Sequence, residues 1–284
     1  MIRPRQIAPD IAVFPARTPT LPPATHTNSY ALGGREVLLV EPATPYEDEQ
    51  RAFIAWVRAL AADGRRPVAI VLTHHHLDHV GGADVLAREL GLPLWAHAET
   101  AARVSVPVAR ALSDGDELVL DGPAPARWRV LHTPGHAPGH VCLVEDGSRA
   151  AIVGDMVAAV GTILIAPGDG DMRIYLEQLE RLAALELHLA LPAHGDAVGA
   201  PSSLFRGYVA HRLRREQKVL AAVRRGGPQG TSAEDLVPTA YDDVAPAVRP
   251  IALLSLQSHL DKLVGDGRVR RTDGLRYSAV EVPA

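Results

Sequence analysis

Val68-Ala69-Ile70-Val71-Leu72-Thr73-His74-His75-His76-Leu77-Asp78-His79-Val80-Gly81-Gly82 runs from an apolar segment into a dense cluster of imidazoles with one carboxylate. The apolar part predicts a buried strand, and the glycine pair followed by a helical pattern predicts a loop leaving its end. Imidazole and carboxylate are good ligands for borderline divalent metals. In an extended stretch alternate side chains share a face, so His74 and His76 can grip one ion. Asp78 and His79 must then point elsewhere, which implies a second ion. A His-rich run can also be a tag or a solvated loop. A tag does not carry an aspartate in register or follow a core strand.

Composition narrows the class. The chain has 284 residues, 47% hydrophobic, with a net charge of -4. That is enough for one large domain plus a small one, and nothing global points to nucleic acid or membrane. The single cysteine, Cys142, excludes an intramolecular disulfide and suits a reducing compartment. No apolar run approaches the ~18 residues of a membrane span. The start, Met1-Ile2-Arg3-Pro4-Arg5-Gln6, lacks an apolar core of the signal-peptide kind. The expectation is a cytoplasmic protein with no membrane partner.

Around the cluster the chain alternates strands and helices. Asn28 to Leu32 turns at Gly33-Gly34 into Glu36 to Val40, a hairpin. Residues 46–62 predict a helix with an apolar stripe of Phe53, Trp56, Val57 and Leu60, and residues 83–90 predict another, stopped by Gly91. Three later segments repeat the pattern of a strand followed by a potential ligand. Trp128 to Leu131 leads into His132-Thr133-Pro134-Gly135-His136, then His140. Ala150 to Val153 leads through Gly154 into Asp155. Leu187 to Leu191 leads through Pro192-Ala193 into His194-Gly195. An amphipathic helix at 172–185 joins the last two. Ligands at the ends of several strands converge on one edge of a sheet fold, where loops make sites on a rigid scaffold.

These motifs, taken in order, resemble the metallo-β-lactamase superfamily over about residues 10–200. The resemblance implies an α/β fold, an αββα sandwich, with a dinuclear metal site that is usually zinc, other divalent metals remaining open. Carried over by position, His74, His76 and His136 hold the first ion, Asp78, His79 and His194 hold the second, and Asp155 bridges both. In that pattern His75 points away, and His132 and His140 support or pack. His26, His97, His188, His211 and His259 match no motif and are read as ordinary surface or core residues. The antibiotic-degrading members with two metals commonly have a cysteine where this chain has Asp155, and most are exported, so a true β-lactamase is not expected. Many relatives also close the early hairpin with an Asp-Thr-Gly-like step where this chain reads Val40-Glu41-Pro42. Either Glu41 replaces that acid or the support differs.

After Pro201 the pattern changes, which predicts a catalytic domain at 1–200 and a second domain at 201–284. Residues 205–223 read as a helix with a basic face of Arg206, Arg212, Arg214, Arg215 and Lys218, continued by Arg224 and Arg225. Thr231-Ser232-Ala233-Glu234 is a capping box opening a short helix. Residues 251–264 are helical, and a hairpin forms around Asp273-Gly274. Helices followed by a small hairpin resemble a winged helix, and the whole chain looks most like the β-lactamase-like protein 2 group. That group's best-known member is described as an endoribonuclease, and related thioesterases share the outline.

The resulting expectation is a dinuclear zinc hydrolase in which a hydroxide between the ions attacks. Asp155 orients it, and Asp78 and Asp155 are the catalytic carboxylates. The substrate class is open between a small acyl compound (ester, thioester or lactone) and RNA. RNA recognition needs several phosphate contacts and stacking aromatics. The second domain carries 13 Arg or Lys against 9 Asp or Glu, the remainder is acidic, and aromatics make up only 4%. That balance favours the acyl compound. A flavin-linked di-iron redox protein and a DNA-binding regulator with a degenerate enzyme domain fit less well, the first lacking a flavin domain and the second contradicted by the complete ligand set.

Overall fold

The computed structural model describes residues 4–272 and 274–280. Seven strands form the first sheet in chain order: β1 (Arg5–Ala8), β2 (Ile11–Arg17), β3 (His26–Leu32), β4 (Glu36–Val40), β5 (Arg66–Val71), β6 (Leu94–His97) and β7 (Arg110–Leu112). The second sheet holds β8 (Glu117–Leu120), β9 (Ala126–His132), β10 (Val141–Glu145), β11 (Ala150–Gly154), β12 (Leu189–Pro192) and β13 (Val198–Gly199), in the order β13-β12-β11-β10-β9-β8. The early strands pair antiparallel as hairpins, whereas β4 to β7 run parallel. Parallel pairs need crossovers, and α1 (Glu47–Ala62) supplies the one from β4 to β5.

Side-chain alternation decides how the layers stack. Leu38 and Val40 of β4, with Ala69 and Val71 of β5, face the second sheet and meet Val141, Leu143 and Ile152 there. Their neighbours Val37, Leu39, Ile70 and Leu72 face outward, onto Phe53 and Val57 of α1 and Leu86 of α3 (Ala83–Leu90). On the other side, Cys142, Val144, Ala151 and Val153 pack against α5 (Met172–Ala183) through Tyr175 and Leu179. Both faces of both sheets are therefore covered, which explains strands that read as nearly continuous apolar runs. The layers are helix, sheet, sheet, helix: the αββα sandwich.

Two short helices, α2 (Leu77–Val80) and α4 (Ala98–Ala101), lie along the first half. The C-terminal part consists of α6 (Ser202–Arg225), β14 (Thr231–Ser232), α7 (Ala233–Ala240), α8 (Arg249–Gly265), β15 (Val269–Thr272) and β16 (Arg276–Ala279). Its three strands form a sheet in the order β14-β16-β15. The cap of α7 is Ser232, whose hydroxyl accepts from the Asp235 amide, one residue later than the capping box predicts. Of the expected hairpin turn, Asp273 lies outside the described residues. Helix α6 serves two cores. Phe205 and Tyr208 pack with α5, while Val219, Leu220 and Val223 pack with α7 and α8. For this reason the basic face read from the sequence is not one exposed track. Arg212 and Arg215 are buried, because α6 has a partner on more than one side.

Candidate metal centre

Every residue expected at the site sits just past the end of a strand. His74 and His76 follow β5, and Asp78 and His79 ride on the single turn of α2 behind it. His136 lies in the turn between β9 and β10, Asp155 follows β11, and His194 follows β12. Because these strand ends share one edge of the sandwich, residues up to 120 positions apart in sequence come together.

They form two clusters. In the first, His74 Nε2 lies 3.0 Å from His76 Nδ1, and His136 Nε2 lies 3.2 Å from the former and 2.9 Å from the latter. In the second, Asp78 Oδ2 is 3.6 Å from His194 Nε2 and 3.8 Å from His79 Nε2. Asp155 stands between them. Its Oδ1 lies 3.6 Å from His79 Nε2 and 3.4 Å from His194 Nε2, while its Oδ2 lies 3.4 Å from His136 Nε2. Buried polar atoms are normally paired. Yet His79 Nε2 and Asp155 Oδ1 are buried without a hydrogen-bond partner. Cations in the two clusters would satisfy both, so the donor set fits divalent metal ions.

The outward nitrogens are tied down, which fixes which nitrogen faces inward. His136 Nδ1 donates to the Leu164 carbonyl at 3.0 Å, and His194 Nδ1 donates to the His26 carbonyl at 3.0 Å. His76 Nε2 donates to Asp169 Oδ2 at 2.6 Å. His74 Nδ1 meets the Thr73 hydroxyl at 3.0 Å, and His79 Nδ1 lies 3.4 Å from Glu41 Oε1. Glu41, buried and held at a φ of 62° beside Pro42, faces His79, but neither its oxygens nor His79 Nδ1 has a hydrogen-bond partner. His75 turns from both clusters, its Nε2 3.4 Å from Asp169. His140 braces Asp155, whose amide donates to His140 Nε2 at 3.1 Å while His140 Nδ1 bonds Thr133 Oγ1 at 2.8 Å.

Sequence reasoning missed three contributors, Asp169 and the carbonyls of His26 and Leu164. Asp169 sits between glycines with no strand before it, so no pattern singled it out. The two carbonyls act through the backbone, which side-chain identity does not reveal.

Charge in the site is strongly coupled. Burial pushes the His74 imidazole well below its ordinary value and His136 down to about 4, so both present free lone pairs at neutral pH. Burial is the largest single influence on His79 and His194 and disfavours charge on them. The groups around them together raise both, Asp155 foremost, with Glu41 and Asp78 adding at His79 and the His26 carbonyl at His194. The same pairing overcomes burial at Asp155 and holds its carboxyl well below the usual range. Metal binding there would displace protons from His79 and His194, so uptake is coupled to pH.

The centre lies at the base of an opening of about 230 Å³, walled by Pro19 to Ala24 on one side and by residues 158–166 on the other. Helices pin this second wall. Tyr208 Oη donates to the Ala158 carbonyl and accepts from its amide, each at 3.0 Å, and Ser258 Oγ donates to the Ile165 carbonyl at 2.6 Å. The C-terminal helices therefore shape the mouth of the site.

Comparison with known proteins agrees with this geometry. The metallo-beta-lactamase superfamily model matches residues 22–194, and the beta-lactamase associated winged helix domain matches residues 232–277. A beta-lactamase-like protein 2 homolog of Caenorhabditis elegans is 28% identical over 249 residues, covering 86% of this chain and 80% of its own. An atrochrysone carboxyl ACP thioesterase of Aspergillus chevalieri is 29% identical over 258 residues, covering 86% and 77%. A solved metallo-beta-lactamase family protein of Thermus thermophilus superposes with a TM-score of 0.79 at 24% identity, covering 97% of this chain and all of that one, a likeness of fold. The chain belongs to the metallo-β-lactamase superfamily, as a hydrolase that carries the associated winged helix domain.

Proposed function

We propose that the chain is a dinuclear zinc hydrolase of a small acyl compound, a thioester before an ester or lactone. The observation that carries the two-ion reading is Asp155, whose two oxygens face different histidine clusters. His74, His76 and His136 would hold one ion and Asp78, His79 and His194 the other, with Asp155 between. Nitrogen-rich donors with hard carboxylates suit zinc. When bound, such a pair supplies water acidic enough to ionise near pH 7 and polarises a carbonyl oxygen.

The chain's own residues do the rest. Asp155 keeps its negative charge and can orient the attacking water, while Asp78, which lines the opening, can take up its proton. Water adds across the acyl–sulfur bond: the carbonyl carbon gains oxygen, the sulfur leaves and is protonated, and no oxidant or reductant is needed.

The thioester preference has two supports. The opening is lined largely by Pro, Ala, Val, Ile and Leu, without a stacking aromatic. A relative matched over most of both chains is named a thioesterase of an acyl carrier. We also place the catalytic domain at 1–200 and the winged-helix-like domain at 201–284, with α6 spanning the junction.

The test is the zinc-loaded protein at about 0.15 M salt, where weak electrostatic binding is screened. N-acetylcysteamine thioesters, lactones and short RNAs are assayed in one preparation. Thiol release that disappears in Asp155→Ala is expected. RNA cleavage lost in that variant, with no acyl hydrolysis above background, would overturn the substrate reading.

A further inference from the structure

A second cavity opens where α6 and α8 meet the catalytic sandwich. Its enclosed part is about 460 Å³, within the roughly 300–1,000 Å³ of small-molecule pockets. Leu21, Pro22, Pro23, Thr162, Ile163 and Leu164 line both this cavity and the opening over the metal centre. The two spaces are therefore neighbours across one wall, and the Leu164 carbonyl in that wall is the group that orients His136. Its other walls are mainly apolar, with Val244, Val248, Ile251 and Ala252 from the winged helix side. Leu21 and Val248, 49% and 44% exposed, leave large apolar side chains in water at its rim. Contiguous exposed apolar surface of this kind marks binding sites.

Two arginines, Arg212 and Arg215, break the apolar lining. Arg212 is only 3% exposed, and its guanidinium donates to neutral oxygens alone, the Thr162 hydroxyl and the Ile163 carbonyl. Among the described residues it pairs with no carboxylate, and its Nε has no partner. Its neighbour Arg215, by contrast, is neutralised by Asp243, with bonds at 2.8 and 3.1 Å. Burying a charge without a counter-charge is costly, so a positive wall is held in reserve beside an apolar floor.

We propose that this cavity is the subsite for the acyl part of the substrate, and that it selects an apolar chain bearing an anionic oxygen, whose charge Arg212 balances. This rests on the hydrolase reading above, with the scissile carbonyl at the metal centre and the acyl chain running over Ile163 and Leu164. A neutral alkyl chain would use the floor and leave the guanidinium with no counter-charge, only the face of the Tyr175 ring 5.7 Å away.

The experiment compares adipoyl, suberoyl and sebacoyl thioesters of N-acetylcysteamine with the hexanoyl, octanoyl and decanoyl ones. At the best length the carboxylated acyl group is expected to have a kcat/KM about ten-fold higher or more, the scale of one charge-assisted hydrogen bond. Arg212→Gln should bring that ratio near one. Because Arg212 also pins the wall, Val248→Glu is the second variant: at an exposed rim it spares the fold, and its charge should lower the ratio by repulsion. Binding of the corresponding suberoyl amide to metal-free protein, by calorimetry, is read independently and should weaken in both variants. Thioester hydrolysis with a wild-type ratio of one or less, or a ratio unmoved by either variant, overturns the subsite. Amide binding that weakens in the variants, with no hydrolysis of any thioester, would sustain the subsite and sink the hydrolase reading.

Discussion

The carboxylate of Asp169 lies 2.6 Å from Nε2 of His76, across 93 positions of sequence. This contact commits the His76 proton to the outer nitrogen and leaves Nδ1 free to face His74 and His136. A ligand held this way is more basic and loses less rotamer freedom on binding. Asp169→Ala should therefore weaken retention of the ion held by His76 about 10- to 100-fold. Competition with a chromophoric chelator measures it, and an unchanged affinity would show that the contact is passive.

On the proposed reading of two clusters joined by Asp155, about two divalent ions per chain are expected when all donors are filled. Elemental analysis of protein purified without chelator is expected to find them, and His194→Ala should leave about one. Asp155→Ala should remove turnover by at least about 100-fold while the protein still melts cooperatively. One ion in the wild type, with His194→Ala fully active, would contradict the paired arrangement.

Gly154 links the end of β11 to Asp155 at a φ of +47°, and a Cβ there would stand 2.5 Å from His140 Nε2. Both the left-handed backbone and the ring that braces Asp155 resist a side chain. Gly154→Ala is expected to cost about 1–3 kcal/mol from backbone strain, plus the clash. Gly91, with a φ of +65° and open space around it, is the control: Gly91→Ala carries the strain without the collision. Equal losses in urea titrations of the two variants would remove His140 from the account.

His259 is buried in α8 with neither ring nitrogen paired. Burial, reinforced by Arg212, Arg215, Lys262 and His211, pushes its imidazole down to about 3. The unfolded chain takes up a proton below pH 6.5 that the folded chain refuses, so stability is full above that pH and falls through the window from about 6.5 to 3. His259→Leu should flatten this loss, gaining up to about 2 kcal/mol on the wild type between pH 6.5 and 5. Chemical denaturation at the two pH values checks it, and parallel slopes would refute it.

Much of the site was legible in the sequence because its logic is local. A strand covered on both faces announces itself as a short continuous apolar run, and the residue after its last apolar position must emerge at the sheet edge. His74, His76, Asp78, His79, His136, Asp155 and His194 each follow such a strand, so a gathering at one edge was expected from spacing. The choice of His136 over His132 and His140, and the sorting into two sets, came from the resemblance to the superfamily. Tertiary structure alone decided what stands behind them. Asp169, the His26 and Leu164 carbonyls, and Glu41 at its strained φ reach their histidines through packing between distant segments, which leaves no periodic trace. It also decided the fate of the arginines on α6. The helical period places Arg212 and Arg215 among the basic residues of one helix, but only the partners of that helix determine which of its sides face water. Burial of Arg212 beside an apolar cavity followed from α8 and the 162–165 wall closing over it, a long-range arrangement that no single segment encodes.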